Sequence, residues 1–455
     1  MKKHKRSTFS GKLGFVLSAA GASVGLGNIW RFPYLAAKYG GGIFLLVYII
    51  LALTFGYTLI MAETSLGRMT RKSPVGAFES FGNSRFISIG GWINAIIPIL
   101  IVPYYSVIGG WVIKYLIEYF AGHSKTLAGD AYFTTFISNG WSTEICFIIF
   151  TLFTLGIIYA GVRNGIERVS KFMMPILIVL SLIIAVYSVT RPGAIEGVKY
   201  FLVPNFDHFS WMTVVSAMGQ MFYSLSIAMG ILITFGSYMK KDISIEDSTR
   251  NVEVFDTAIA IMAGLMIIPA VFAFSGGNPD TLQAGPALMF ITIPKVFENM
   301  GLGTAIGILF FLLVLFAALT SSIALTESAV STFEDEIGWS RKKSTVLVGV
   351  IMIVLGSLSS LGYGPLAFVK IIGMQFLDFF DFLTNSVMMP IAALMTSLLV
   401  ARVVGVKKIE EEIIHGESAF RRKKIFAVMI KYLCPIFVLI ILISSVANAF
   451  GWISM

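Results

Sequence analysis

Gly21-Ala-Ser-Val-Gly-Leu-Gly-Asn28 lies in the middle of an apolar run that extends over residues 12–38. Small residues leave backbone exposed, and glycine tolerates conformations that a helix does not use. In a soluble protein the stretch would read as a loop. The surrounding composition forbids that reading. The 455-residue chain is 56% hydrophobic and 13% charged, with a mean hydropathy of +0.84. An average soluble domain is about 25% charged. The apolar excess must therefore face lipid. Inside a bilayer, free backbone N–H and C=O groups are tolerated only beside a cavity or another helix. An interrupted membrane helix is thus a candidate binding site.

Working outward, a spanning helix needs roughly 20 apolar residues. Eleven such runs are present, over residues 12–38, 42–68, 87–120, 143–160, 167–190, 211–239, 254–275, 302–333, 344–361, 368–402 and 427–452. No connection is long enough to hold a separate soluble domain, so residues 1–455 form one transmembrane domain. The fold class is an all-α polytopic membrane protein. The basic N-terminus before span 1 imitates a signal peptide, but the apolar stretch is too long and contains Asn28 and Arg31. Cys146 and Cys434 both sit in apolar runs and give no disulfide framework or metal pattern.

The net charge of +9 raises the question of nucleic acid. Placement of the charges answers it: Lys and Arg fall in short gaps between apolar runs. With the N-terminus in the cytoplasm, 26 of the 34 Lys and Arg fall on the inside, as the positive-inside rule expects. An odd number of spans then puts Met455 outside.

A second interruption occurs in span 6, at Ser224-Leu-Ser-Ile-Ala-Met-Gly230. Small residues also serve tight helix packing, which is the plainer explanation for an isolated glycine. Two interruptions five spans apart favour a pair of five-helix repeats with the site between them. Half-helix N-termini would offer N–H groups to a carboxylate, and freed carbonyls would hold a hard cation.

These residues resemble the neurotransmitter:sodium symporter family. The resemblance rests on Gly25-Leu-Gly-Asn-Ile-Trp-Arg-Phe-Pro33, Gly40-Gly-Gly42, Tyr104-Tyr105, Gly219-Gln220, Leu319-Thr-Ser-Ser-Ile-Ala324 and Phe333-Glu-Asp-Glu336. It runs from about Phe9 to span 10. It implies a 5+5 inverted repeat, with repeat one about 12–190, repeat two about 211–402 and an extra helix about 427–452. Spans 1 and 6 would be unwound. The family usually has twelve spans; eleven occur in some bacterial members, which implies a bacterial inner (cell) membrane.

The resemblance also implies two sodium sites. Sodium 2 would take the carbonyls of Gly21, Val24 and Ala317 and the hydroxyls of Thr320 and Ser321, five oxygens without net charge, as suits a hard monovalent ion. The alternative for the two hydroxyls is bonding back to their own helix. Sodium 1 would take the Ser23 carbonyl, Asn28, Ser224 and Asp256. Asp256 stands where the family often has Asn, at the inner end of the apolar run of span 7. Read there it is either a helix-end charge or a functional intramembrane acid. If buried, its charge implies that chloride is not required.

The amine transporters of the family carry an acid in the span-1 motif; here that position is Gly25. The resemblance therefore implies an α-amino acid that brings its own carboxylate, to sit near the N–H groups of Leu26 and Gly27 and the hydroxyl of Tyr105. Its ammonium would meet carbonyls around Ala22, Tyr223 and Ser226. The remaining wall would be Ser23, Ser224, Ile101, Met229, Ser321 and Leu325, largely apolar, with room for a hydrophobic or aromatic side chain. For Ile101 and Met229, core packing is an equal alternative.

Gates follow by the same resemblance. Arg31 would pair with Asp378, beside Gln220, and close the outer side. Arg6 with Asp335, helped by Phe9 and Tyr238, would close the inner side. In span 5, Gly165 and Pro175 have the spacing that some relatives use to unwind the inner half, or mark an ordinary proline kink. The function implied is sodium-coupled import of the amino acid by alternating access. A receptor or channel of the same fold is the alternative. No HExxH motif or nucleophile set suggests an enzyme.

Overall fold

The computed structural model describes residues 6–276, 285–416 and 419–453. The expected cytoplasmic N-terminal Met1 and the expected outer Met455 lie outside the described residues, as do Lys2, Lys3 and Lys5. Among the described residues there is no β-sheet, only the isolated bridges Gly41–Pro204 and Ile371–Met374.

The spans form in chain order. Span 1 is Lys12–Ser23 followed by Gly27–Lys38, bent by 53° at the break. Span 2 is Gly42–Thr70, span 3 Arg85–Phe120, span 4 Gly140–Tyr159 and span 5 Val162–Val189. Span 6 is Trp211–Ser224 and Ile231–Tyr238, with residues 225–230 between them. Spans 7 to 11 are Ile245–Ser275, Gly303–Glu336, Arg341–Leu361, Phe376–Val404 and Lys423–Ala449. Among the described residues nine helices are long and apolar enough to cross a membrane, and the bent span 1 makes a tenth. Span 6 was the eleventh expected; its two halves are each too short to cross alone. The chain is an all-α, multi-pass membrane protein.

Two boundaries differ from the hydropathy reading by eight residues or more. Span 7 starts at Ile245 instead of 254, because Ser244 caps it, accepting from Asp247 N at 3.0 Å. Its first three turns carry Glu246, Asp247, Arg250 and Glu253 and so escaped an apolar search. Span 10 starts at Phe376 instead of 368, because residues 362–375 form turns around the Ile371–Met374 bridge.

Span 5 is continuous. It opens with a π-turn over Val162–Glu167 and runs as α-helix through Pro175 to Val189. The unwinding suggested by Gly165 and Pro175 is not present in this conformation. Glu167, buried at 2% exposure, accepts from Ser10 N at 2.9 Å and from Lys171 Nζ at 2.6 Å, and so pins the segment before span 1 onto span 5.

Small residues bring backbones together, as membrane bundles require. A Cβ on Gly67 would lie 1.9 Å from the Ile233 carbonyl oxygen, and one on Gly236 would lie 2.4 Å from that of Thr64. Span 2 and the second half of span 6 therefore touch main chain to main chain.

Candidate functional site

Both breaks face the same point. In span 1 the helix ends at Ser23, Val24 turns extended, and a π-turn over Gly27–Arg31 resumes it. Glycine is needed here for approach: a Cβ on Gly25 would lie 2.7 Å from Ser321 Oγ, and one on Gly27 would lie 2.5 Å from the Tyr223 ring. In span 6, Ser226, Ala228 and Gly230 all have left-handed φ, of 52°, 60° and 67°. Such backbone costs about 1–3 kcal/mol per non-glycine residue and persists only where surroundings hold it. The holder is Glu63, fully buried in span 2, which accepts from Ala228 N at 2.8 Å.

All twelve residues expected around the substrate line one cavity: Ala22, Ser23, Leu26, Gly27, Ile101, Tyr105, Tyr223, Ser224, Ser226, Met229, Ser321 and Leu325. Gly25, Asn28 and Ile231 complete it. The cavity is about 30 Å³, above the ~10–15 Å³ that admits a water molecule. Its polar groups meet one another. Ser226 Oγ donates to the Ala22 carbonyl at 2.9 Å, and Leu26 N–H donates to Tyr105 Oη at 3.3 Å. Ile101, Met229 and Leu325 form an apolar side.

Two oxygen clusters flank the cavity. In the first, Asp256 is fully buried. Asn28 Nδ2 donates to Asp256 Oδ1 at 2.8 Å and to Ser224 Oγ at 2.9 Å. Ser224 Oγ donates to Asp256 at 2.9 Å, and Tyr48 Oη does so at 3.1 Å. The helix-end reading of Asp256 is thereby corrected: eleven residues of span 7 precede it, roughly 16 Å of helix. Ser23 lies beside this cluster on the cavity wall, its own hydroxyl donating to Ala19 O at 3.2 Å.

In the second cluster, Ser321 Oγ lies 3.4, 3.1 and 3.3 Å from the carbonyls of Gly21, Ala22 and Val24. One hydroxyl proton cannot serve three acceptors, so the cage is rich in unspent oxygen lone pairs. Thr320 Oγ1 bonds back to Phe316 O at 3.0 Å and to Ala317 O at 3.1 Å. Its Cβ would meet a Cβ on Gly21 at 3.2 Å. Gly21, Val24, Ala317, Thr320 and Ser321 are therefore neighbours. The second set consists of hard oxygen ligands, which fit sodium; in the first, Ser224 and Asp256 offer oxygen, while Asn28 turns its Nδ2 to them and its Oδ1 accepts from Gly25 N–H at 3.0 Å.

The expected gates behave differently. Arg6 Nη1 donates to both carboxylate oxygens of Asp335, at 2.7 and 2.8 Å, and its other nitrogens reach Ser237 Oγ at 3.0 and 2.8 Å. Arg6 also lies over the Tyr238 ring at 4.9 Å. Phe9 packs edge-on against Phe15, Phe235 and Tyr238. Tyr238 Oη donates to Glu327 at 2.6 Å, and Arg341 is the ion-pair partner of Glu327.

The expected Arg31–Asp378 pair is not formed. Arg31 lies over the Tyr223 ring at 5.3 Å. Asp378 accepts from Tyr363 Oη at 2.9 Å. Asp381 accepts from Tyr104 Oη at 3.2 Å and from Asn385 at 2.6 Å. The separation leaves a vestibule of about 320 Å³ lined by Arg31, Asp378 and Asp381, with Tyr223 at its floor and the cavity beneath. Gln220 Nε2 donates to the Gly27 carbonyl at 3.0 Å and braces the span-1 turn.

Tyr48, Glu63, Ser237, Ile231 and the Glu327–Arg341 pair escaped the sequence reading. Glu63 and Glu327 carried a signal, since an acid within a span is rare and functional by default. The others carried none.

The model of the sodium:neurotransmitter symporter family matches residues 6–147 and 131–451. The chain is 33% identical over 452 residues to the uncharacterized sodium-dependent transporter YhdH of Bacillus subtilis, covering 98% of this chain and 99% of that one. It is 32% identical over 455 residues to an uncharacterized sodium-dependent transporter of Haemophilus influenzae, covering 97% and 98%. Among solved structures it is similar to MhsT in complex with L-phenylalanine, with a TM-score of 0.86 and 35% identity, over 97% of this chain and all of that one.

Proposed function

The chain belongs to the sodium:neurotransmitter symporter family, and on that premise we propose that it is a sodium-coupled amino-acid symporter whose substrate is hydrophobic or aromatic. It is a transporter rather than an enzyme. The observation that carries the reading is the convergence of both helix breaks on one cavity with an oxygen cluster at either side. MhsT, similar over nearly the whole chain, holds L-phenylalanine.

In this reading the substrate carboxylate takes the N–H of Leu26 and the hydroxyl of Tyr105, and its ammonium takes the Ala22 carbonyl. The substrate thus replaces the bonds these groups now make with one another and widens the pocket. Its side chain lies against Ile101, Met229 and Leu325. Sodium 1 is held by Ser23, Asn28, Ser224 and Asp256, and sodium 2 by Gly21, Val24, Ala317, Thr320 and Ser321. The buried Asp256 carboxylate supplies the negative charge beside sodium 1, so chloride is not required. Spans 1–5 and 6–10 are the two repeats. The Arg6 end faces the cytoplasm of the cell, and transport alternates between opening there and opening at Arg31.

The test is sodium-dependent binding of a panel of radiolabelled amino acids to the purified protein, followed by uptake into sealed vesicles. Saturable uptake of a hydrophobic or aromatic amino acid, driven by a sodium gradient and lost in Asn28→Ala or Ser321→Ala, is expected. Binding without uptake would make the protein a receptor. Loss of uptake when chloride is replaced by gluconate would sink the chloride assignment alone.

A further inference from the structure

The connection between spans 10 and 11 lies across the Arg6 end of the molecule and is anchored inward at two places. Arg68, fully buried at the end of span 2, donates from Nε to Glu412 at 2.6 Å and from Nη1 to the Ile243 carbonyl at 2.6 Å. Glu246, at the start of span 7, accepts from the main-chain N–H of Arg421 and Arg422 at 2.9 and 3.1 Å and from Tyr57 Oη at 2.9 Å. The Arg422 guanidinium lies over the Tyr57 ring and 3.6 Å from buried Glu253. The connection thereby ties span 2 to span 7.

What remains on its outside is cationic. Arg402, Lys407, Lys408, Arg421, Lys424 and Lys431 are exposed and form no ion pair among the described residues. Of the described acids on the connection, exposed Glu411 alone forms no ion pair and offsets one of these six cations; Glu412 is engaged by Arg68, and Glu410 by Lys423 at 2.8 Å. That last contact also places Lys407, one helical turn before Glu410, beside the Arg421–Lys424 run.

The position along the membrane axis decides the partner. The run leads directly into span 11, and Arg402 lies in the last turn of span 10. The same elements leave Val403, Ile425, Val428 and Tyr432 between 42% and 64% exposed. Cations next to bare apolar side chains at the end of a span occupy the level of lipid phosphates. Their aliphatic stems cover apolar surface while their heads reach the phosphate.

We propose that this connection is a docking surface for anionic phospholipid headgroups, and that bound lipid steadies the seam between spans 2 and 7. The recognised chemistry is a phosphate anion, which free phosphate also carries, without acyl chains. Each cation near such a surface strengthens binding about fivefold.

The test places the full chain in nanodiscs of phosphatidylcholine, with or without one third phosphatidylglycerol. The readouts are the unfolding temperature and the amount of phosphatidylglycerol bound. The comparison variant is K407Q/K408Q/K424Q, which leaves both buried anchors intact. The wild type is expected to melt higher in anionic discs. The triple variant should lose that rise, bind phosphatidylglycerol about a hundredfold more weakly, and melt like the wild type in neutral discs. An equal rise in both proteins would overturn the proposal. So would an equal rise on adding inorganic phosphate to neutral discs, which would make the ligand a soluble anion. Neither readout involves transport, so this inference and the transport reading fail separately.

Discussion

The two ends of the central pathway are built from the same residue types and stand in opposite states. At one end Arg6, Asp335 and Tyr238 are locked together, with Ser73 N–H adding a further bond to Asp335 at 2.6 Å. At the other, Arg31, Asp378, Asp381 and Tyr223 surround about 320 Å³ of space. Composition does not separate them. Each acid at the Arg31 end has a tyrosine donor of its own, Tyr363 for Asp378 and Tyr104 for Asp381. Among the described residues Asp335 has no tyrosine donor; besides the Ser73 N–H, its charge is met by Arg6 on both oxygens. A gate is thus shut where the acid depends on the cation and open where tyrosines stand in for it.

Four expectations test this contrast. The largest concerns the point between the ends. Asp256→Asn removes a buried charge that three donors share, and sodium-dependent binding should fall by about a hundredfold or more, given 1.5–3 kcal/mol per hydrogen bond to a charged group. A binding isotherm against sodium checks this; an unchanged midpoint would remove Asp256 from the ion site.

Next is the closed end. Arg6→Gln should shift the balance toward opening there by roughly tenfold to a hundredfold, the worth of a charge-assisted pair that is mostly shielded. A cysteine placed at Ser18, buried in the first half of span 1, should then react faster with a soluble thiol reagent.

Smaller again is the open end. Arg31→Gln should leave the unfolding temperature nearly unchanged, because no acid among the described residues forms an ion pair with Arg31, while uptake slows by about tenfold, the equivalent of ~1.4 kcal/mol. A large loss of stability would mean that the gate is closed in solution. Least is the effect of salt. Arg6 and Asp335 keep 14% and 25% of their side chains exposed, so molar salt should raise the Ser18 cysteine reactivity by less than about threefold.

Much of this was legible in the sequence. Hydropathy gave the spans, because lipid demands long apolar helices. The glycines gave both breaks, because close approach admits no Cβ. What hydropathy hid was depth: the polar first turns of span 7 carried Asp256 far from the end where it appeared to lie. Long-range partners were hidden as well. Glu63 and Ala228, 165 residues apart, meet only once spans 2 and 6 pack. The choice of Tyr223 over Asp378 by Arg31 belongs to a conformation, which a residue pattern does not specify.

The contact of Gly67 and Gly236 with facing carbonyls has a mechanical consequence. Two backbones that touch without intervening side chains have no lubricating layer, so they cannot slide or rock against each other by changing rotamers. Span 2 and the second half of span 6 therefore move as one lever. When the Arg6 end opens, the surface that parts is the ring-packed one around Phe9, and distances between spin labels on span 2 and on Ile231–Tyr238 should stay constant while those to the first half of span 1 lengthen.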